Sequence, residues 1–376
     1  MKILIATGIF IPEVGGPATY IFNLAKELIG SGHQIIIVTY SDQNIYDLDQ
    51  DLPYQVVRVK RKSGFFGKFL NYYNYYKKLK EIYSKENFDI VYSFDHFSAG
   101  IPVSILAKKI KKPIIIRVGG DFIWERYLSY AKKPVTLREF YQRSFHLKYE
   151  NIRFNLIRKV FSQADKIVFT TQFQKEIFAQ YYKLPGSKLV LLNNPINTAI
   201  KSIERNNFNH NIIFHGRINK KNNVSFLIKA FSQMQNKDFS LQIIGDGPEK
   251  SQLENLVAEL KLNNVIFLGS LSREETYQKL SRAYLAVYPS LTDISPNGLL
   301  ESLQLKVPFV CTTEIGFDWL AGKVKMFSPQ KIEELIKILD DLSILDNYQA
   351  YQGNLNKIDY HYNYSQLAED TVKILK

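Results

Sequence analysis

YPSLTDISPNGLLESLQLKVPFV, Tyr288 to Val310, decides the fold of this chain. The apolar run Leu285 to Tyr288 reads as a strand that stops at Pro289. A polar loop with Asp293, Ser295, Pro296, Asn297 and Gly298 follows, and an apolar helical run opens at Leu299 and carries Glu301. In an open α/β sheet, a strand, a loop and a helix start in this order present unpaired backbone N–H groups at the positive end of a helix dipole, where a phosphate can be held. Asp293 and Glu301 lie eight positions apart, one in the loop and one in the first helical turn, so both can face one ligand whose anionic part the amides hold. A diphosphate-linked ligand with hydroxyl groups suits that arrangement. An ordinary strand-to-helix turn with an acid favouring the dipole is the plain alternative.

Outward from this stretch, strands and helices alternate. Toward the N-terminus of the same half come strands Ile212–Phe214, Leu241–Ile244 and Val265–Leu268, with helices Val224–Met234, Glu249–Leu260 and Glu274–Ala283 between and after them. Beyond it come strand Phe309–Cys311, a short helix near Phe317, strand Lys325–Phe327 and helix Lys331–Leu342. The first half has the same rhythm, with strands Lys2–Thr7, Ile35–Tyr40, Gln55–Val59, Asp89–Phe94, Ile114–Val118, Lys166–Thr170 and Leu189–Leu192. Its helices begin near Pro17, run Phe65–Lys85, Ala99–Ile110 and Gln172–Tyr182, and include one long basic-aromatic helix from Thr136, capped by Glu139, to about Phe161. Such alternation predicts parallel sheets with right-handed crossovers. At 376 residues the chain exceeds one typical core. The expected class is therefore α/β, with two Rossmann-like doubly wound domains facing across a cleft. The first spans 1–195, a polar linker 196–211, the second domain 212–347, and the amphipathic tail 348–376 is helical.

Composition removes several classes of function. No apolar run approaches the roughly 20 residues of a membrane span, and Ile3 to Ala6 directly after Met1-Lys2 reads as a first strand and not a signal peptide. A single Cys311 on an apolar strand rules out an internal disulfide and a cysteine zinc site, which points to a cytoplasmic setting. The six His are scattered, so no metal site is expected, and the absence of GxSxG argues against a nucleophilic hydrolase. Residues 1–160 carry 25 Lys and Arg against 14 Asp and Glu, whereas residues 161–376 carry 24 against 22. The first half should therefore face something anionic: a membrane surface, nucleic acid or a phosphorylated substrate. Helices Phe65–Lys85 and Thr136–Phe161, which interleave aromatic rings with cations, favour an anionic membrane on whose inner face the protein would be peripheral.

Other candidates sit at strand ends, where open α/β sheets place ligands. Gly15 and Gly16, in Glu13-Val14-Gly15-Gly16-Pro17, let backbone approach a phosphate, although a tight turn explains them as well. His215 to Asn222 offers Arg217 and Lys221 to a diphosphate, against plain surface solvation. Ile244 to Pro248 reads as turn geometry. His96 and Asp121 follow strands of the first half and are acceptor-side candidates, with a structural or exposed role the alternative for His96.

Taken together, these segments resemble the retaining GT-B glycosyltransferases of family 4 (group 1) over nearly the whole chain. FIPEVGGPATYIFNLAKELIGSGHQIIIVTY and QADKIVFTTQFQKEIF resemble the family's first domain; LQIIGDGPEKSQLENLVAELKLNNVIFLGSLSREE and the Asp293–Glu301 stretch resemble its donor domain. The resemblance implies a nucleoside-diphosphate sugar as donor substrate, with no bound cofactor or metal. It assigns the donor diphosphate to Arg217 and Lys221, approached by Gly15 or Gly16, and the ribose hydroxyls to Glu301, the second acid of a Glu-x7-Glu motif. Asp293 stands at the first acid, beside the donor sugar, and Ser295 to Gly298 complete the phosphate cradle. The tail would return to the first domain, the acceptor side. Three departures stand out: Asp293 replaces a Glu, the Arg217–Lys221 segment is one residue short, and Gly119-Gly120-Asp121 replaces a His common in the family.

The expected function is transfer of a hexose-type sugar, with retention, to a lipid-linked or saccharide hydroxyl in cell-surface polysaccharide or glycolipid synthesis. The alternatives are a nucleotide-sugar 2-epimerase of the same fold and a non-catalytic sugar- or nucleic-acid-binding protein.

Overall fold

A computed structural model describes residues 1–13, 15–64, 67–196 and 209–375. Val14 of the first glycine stretch, Phe65 and Phe66 of the aromatic helix, and linker residues 197–208 lie outside the described residues. The chain forms two compact units. One comprises Met1–Ile123, Ser144–Pro195 and Tyr362–Lys376, and the other Trp124–Arg143 and Ile196–His361.

The first unit is built on a seven-stranded sheet in the order β3-β2-β1-β4-β5-β6-β7. The strands are β1 (Lys2–Thr7), β2 (Gln34–Ser41), β3 (Gln55–Lys60), β4 (Ile90–Ser93), β5 (Ile114–Val118), β6 (Lys166–Phe169) and β7 (Leu189–Leu191). Every pairing is parallel. Strands such as Ile3-Leu4-Ile5-Ala6 are buried on both faces, which is why they read as unbroken apolar runs and not as alternations. Tyr75, fully buried on the helix Gly67–Lys85, accepts a hydrogen bond from the Thr7 N–H (2.9 Å) and lies 2.6 Å from the Val38 carbonyl oxygen, tying that helix to two strand ends.

The second unit has a six-stranded parallel sheet, β10-β9-β8-β11-β12-β13. Its strands are β8 (Asn209–His215), β9 (Ser240–Ile244), β10 (Val265–Gly269), β11 (Ala283–Tyr288), β12 (Phe309–Thr312) and β13 (Met326–Phe327). In both sheets the order reverses beside the first strand of the series, the switch point at which open α/β sheets hold ligands.

Four expectations need correction. The long helix from Thr136 is three helices, Leu137–Gln142, Phe145–Lys148 and Asn151–Ser162, because Ser144 adopts a left-handed conformation (φ 54°) and Glu150 leaves helical geometry. The Thr136–Glu139 capping box is present. Residues 124–143 group with the second unit and not with 1–195: Leu137 N–H donates to Thr292 Oγ1 (2.9 Å), Gln330 Nε2 to Glu139 (2.6 Å) and Lys220 Nζ to the Ala131 carbonyl (3.0 Å). The tail divides. Helix Leu345–Leu355 belongs to the second core, where Tyr348 stacks on Tyr284 at 3.8 Å, and only helix Tyr364–Leu375 packs in the first unit, with Leu367 and Ala368 buried and Tyr364 against Tyr20. Strand β8 starts at Asn209, inside the stretch read as linker.

Candidate active site

The site is built from loops at the carboxyl ends of β8, β9, β11 and β12. Gly245 (φ 134°) brings the loop after β9 onto the loop after β8, where an added Cβ would sit 1.9 Å from the Gly216 carbonyl oxygen. Only glycine permits that contact. The Asn219 side chain then caps the turn Lys220–Asn222, Asn222 Nδ2 donates to the Arg217 carbonyl (2.6 Å), and left-handed Asn223 donates to the carbonyls of Pro289 and Pro329 (both 3.2 Å). These bonds fix the backbone that carries Arg217 and Lys221. Arg217 is exposed and Lys221 half-buried.

The loop after β11 is pinned on three sides. Leu291 N–H donates to the Lys221 carbonyl, Thr292 accepts from Leu137, and Asp293 exchanges backbone bonds with Glu314 and Gly316 beyond β12 (2.8 and 2.9 Å). Asp293 thereby comes to Lys221. Burial raises the Asp293 pKa, and Lys221 and the Ser295 N–H, which donates to its carboxylate, oppose the rise. Lys221 Nζ donates to Glu125 Oε1 at 3.0 Å. The Lys221 pKa is raised, by Glu125 first and Asp293 as well, against desolvation and the charge of Arg217. Nothing local in the sequence marks Glu125, which meets Lys221 across 96 positions.

The helix after this loop spans Asn297–Gln304, so Glu301 stands in its second turn and not its first. The loop also offers a phosphate fewer backbone donors than the resemblance implies. Pro296 has no N–H, the Ser295 N–H serves Asp293 and the Asn297 N–H donates to the Ser295 carbonyl (2.8 Å). The helix has no side-chain cap and no acid in its first turn, which leaves its positive end open to an anion at Gly298.

Glu301 accepts from the Tyr277 hydroxyl (3.2 Å), and its other oxygen lies 3.7 Å from His215 Nδ1. His215 Nε2 is 2.8 Å from the Tyr288 hydroxyl, which donates to the Gly298 carbonyl (2.7 Å) and touches Ser302 Oγ (2.6 Å). Burial lowers the His215 pKa, with Glu301 and the Gly298 carbonyl opposing, so the ring is neutral at pH 7. A Cβ on Gly298 would lie 2.9 Å from the Tyr288 ring and 3.1 Å from that of His215. Tyr277 and Tyr288 carried no signal in the sequence. His215 ends strand β8, and its partner Tyr288 lies 73 positions along the chain.

The candidates of the first half lie in the first unit. Gly15 is extended (φ 170°, ψ 153°) and caps the helix Gly16–Gly30, with the Ile9 side chain where a Cβ would be. His96 is buried, its ring against Phe161 and Phe178 at 5.6 and 6.1 Å, which agrees with the structural alternative for this residue. Asp121 is buried immediately before the helix Phe122–Tyr130. Among the described residues, no group of three His, Cys, Asp or Glu is placed to hold a metal ion, and no helix is long and apolar enough to cross a membrane.

Two parallel α/β units with charged loops at the strand ends of the second define a GT-B glycosyltransferase. More narrowly, the chain belongs to glycosyltransferase family 4, group 1: residues 14–200 match Glycosyltransferase Family 4, and residues 196–354 match Glycosyl transferases group 1. It is 23% identical over 331 residues to an alpha-monoglucosyldiacylglycerol synthase of Streptococcus pneumoniae, covering 82% of this chain and 70% of that protein. In fold it resembles sucrose-phosphate synthase from Thermosynechococcus elongatus (TM-score 0.81, 14% identity, 99% and 98% of the two chains). It also resembles Anabaena HepE in complex with UDP (TM-score 0.76, 15% identity, 100% and 99%).

Proposed function

We propose that this glycosyltransferase moves a hexose-type sugar from a nucleoside-diphosphate sugar to a hydroxyl acceptor, with retention and without a metal, in glycolipid or cell-surface polysaccharide synthesis. The observation that carries the reading is the spatial order of the charges: cations Arg217 and Lys221, then Asp293, then the open helix end, then Glu301 with its one close donor, Tyr277. That order matches a ligand with a diphosphate, a sugar on one side and a ribose on the other. Lys221 and Arg217 stabilise the leaving diphosphate as charge develops on it, Asp293 orients the sugar, and Glu301 accepts ribose hydroxyl bonds. The Streptococcus pneumoniae relative's name, a glucosyldiacylglycerol synthase, and the UDP complex of HepE favour a UDP-sugar and a lipid hydroxyl as first choices. No described residue is needed as a separate base if the leaving phosphate takes the acceptor proton.

A lipid acceptor calls for a membrane face. On the helix Gly67–Lys85, Phe69, Leu70 and Tyr73 are exposed beside exposed Lys77 and Lys80, while Tyr75, Leu79 and Ile82 pack inward. Apolar groups next to cations suit an anionic leaflet. The test is an assay of UDP-, GDP- and ADP-sugars against diacylglycerol, glycolipid and saccharide acceptors with EDTA present, reading the anomeric configuration of any product by NMR. Transfer with retention is expected. An inverted product, free rearranged sugar without acceptor, or dependence on added metal would overturn the reading, and flotation with anionic vesicles checks the membrane face.

A further inference from the structure

Lys221 has a partner whose presence is a problem for the chemistry just described. Glu125 Oε1 sits 3.0 Å from its ammonium, and the Asp293 carboxylate is the next acid to act on it. With Arg217 the cluster holds two cations and two carboxylates and is balanced while no anion is bound. A diphosphate entering on Lys221 would meet the Glu125 carboxylate beside its own oxygens, and like charges at that range oppose each other strongly. Both partners are also open to solvent, with 32% of the Lys221 side chain and 43% of the Glu125 side chain exposed, so the pair is held weakly.

Glu125 is not needed to anchor its own segment. Residues 124–143 are tied to the second unit by Leu137 to Thr292, Gln330 to Glu139, Lys220 to Ala131 and the Arg138–Glu314 pair (3.6 Å). Trp124 beside it is fully buried, with its indole N–H on the Val135 carbonyl (3.0 Å). The backbone at Glu125 is therefore placed by its neighbours, and among the described residues its carboxylate pairs with a cation of the site.

We infer that Glu125 is the counter-anion of Lys221: it occupies the ammonium when the site is empty, yields it to the donor diphosphate, and takes it back as the product nucleotide leaves. This rests on the reading of Lys221 as a diphosphate ligand. Glu125 thus sets how tightly the site holds a diphosphate, weakening donor and product alike and easing product release.

The test is calorimetric binding of UDP, GDP and ADP, and of uridine, guanosine and adenosine, to wild type, Glu125→Gln, Glu125→Ala and the control Glu139→Gln. For whichever diphosphate binds wild type, both Glu125 variants should bind it roughly tenfold tighter, as expected for removing one like charge near the ligand. Nucleoside affinity should not change, and Glu139→Gln should match wild type for both. Equal or weaker diphosphate binding in the Glu125 variants, with wild type still binding, overturns the inference and leaves the site assignment standing. Tightening that extends equally to the nucleoside also overturns it, since the effect would then not come from the phosphates. If no nucleoside diphosphate binds wild type or either variant, the assignment of Lys221 falls and the inference with it.

Discussion

Asp49 in the first unit and Glu301 in the second are both carboxylates on helical segments between strands, yet they are equipped oppositely. Asp49 takes two hydrogen bonds from the Arg58 guanidinium (2.6 and 2.7 Å) and one from the Tyr46 N–H (3.0 Å), and Arg58 in turn donates to the Ile11 carbonyl. A carboxylate has about four lone-pair directions, so Asp49 is nearly saturated by the protein itself. Glu301 has one close donor, Tyr277, and a neutral imidazole just out of reach. The cations follow suit: Arg61 is spent on Glu13, Asp42 and the Gly8 carbonyl, whereas Arg217 is exposed and Lys221 donates to the half-exposed Glu125, with Asp293 the next acid to act on it. Charge consumed internally holds a loop. Charge left short of partners is available to a ligand. Part of the positive charge of the first half is therefore scaffold, and the sequence-level asymmetry overstates what faces a partner.

The largest effect should come from breaking the scaffold pair. Arg58→Ala leaves Asp49 without its guanidinium and should cost about 3–5 kcal/mol of stability in urea titration, because the guanidinium is fully buried. Burial pushes the Asp49 pKa up, but the Arg58 hydrogen bonds, the Tyr46 N–H and the Arg58 charge outweigh it, and the net shift is down. A depressed carboxylate adds stability that is complete above the unfolded value, about 3.9, and is lost as pH falls through the folded value. Wild type should therefore lose this increment in acid, and Arg58→Ala should show a flatter profile there. Equal acid sensitivity in the two proteins would break the contrast.

On the site side, Lys221→Ala and Arg217→Ala should leave the melting temperature nearly unchanged and lower kcat/KM with the active donor. Each removes a charge-assisted contact worth about 1.5–3 kcal/mol, or roughly 10–150-fold. Wild-type turnover in both would mean that these cations are surface charge after all.

The same contrast marks what could be read in advance. Strands buried on both faces, such as Ile114–Val118 and Ala283–Tyr288, announce themselves as apolar runs, and the loops that follow them are polar, so the parallel sheets and the positions of Arg217, Lys221, Asp293 and Glu301 were legible. Ser144 was not, because a serine in left-handed geometry leaves no pattern, and the helix it interrupts kept an aromatic-basic rhythm on both sides. Saturation is likewise invisible locally: Arg61 and Arg217 each follow a strand, and only contacts across 48 positions to Glu13 show that the first is spent. Glu125, Tyr277 and Tyr288 belong to the site through contacts of that kind.

The two site acids should separate in kinetics. Asp293→Asn removes the charge that the proposed function places beside the sugar and should lower kcat roughly tenfold with a smaller change in KM, while Glu301→Gln keeps volume and should raise donor KM about fivefold, as the loss of about 1 kcal/mol implies. If Asp293→Asn alters neither parameter, the shorter acid at this position has no part in the reaction.

The smallest effect sharpens the comparison most. The Tyr277 hydroxyl donates to Glu301 Oε1 from the helix Arg273–Ser281, and no other residue lies within hydrogen-bond reach of that carboxylate among the described residues. If Glu301 works because it is underpartnered, Tyr277→Phe removes an orienting bond without exposing a buried charge, since bound ribose hydroxyls satisfy the freed lone pair. Donor KM should then rise only about two- to threefold, the low end of the roughly 0.5–1.5 kcal/mol net value of a hydrogen bond, with kcat and melting temperature unchanged. A scaffold carboxylate would respond otherwise. Were Glu301 held as Asp49 is, losing a donor would lower stability by more than 1 kcal/mol and leave KM alone. Measuring KM and the urea midpoint of this one variant therefore tells a binding carboxylate from a structural one.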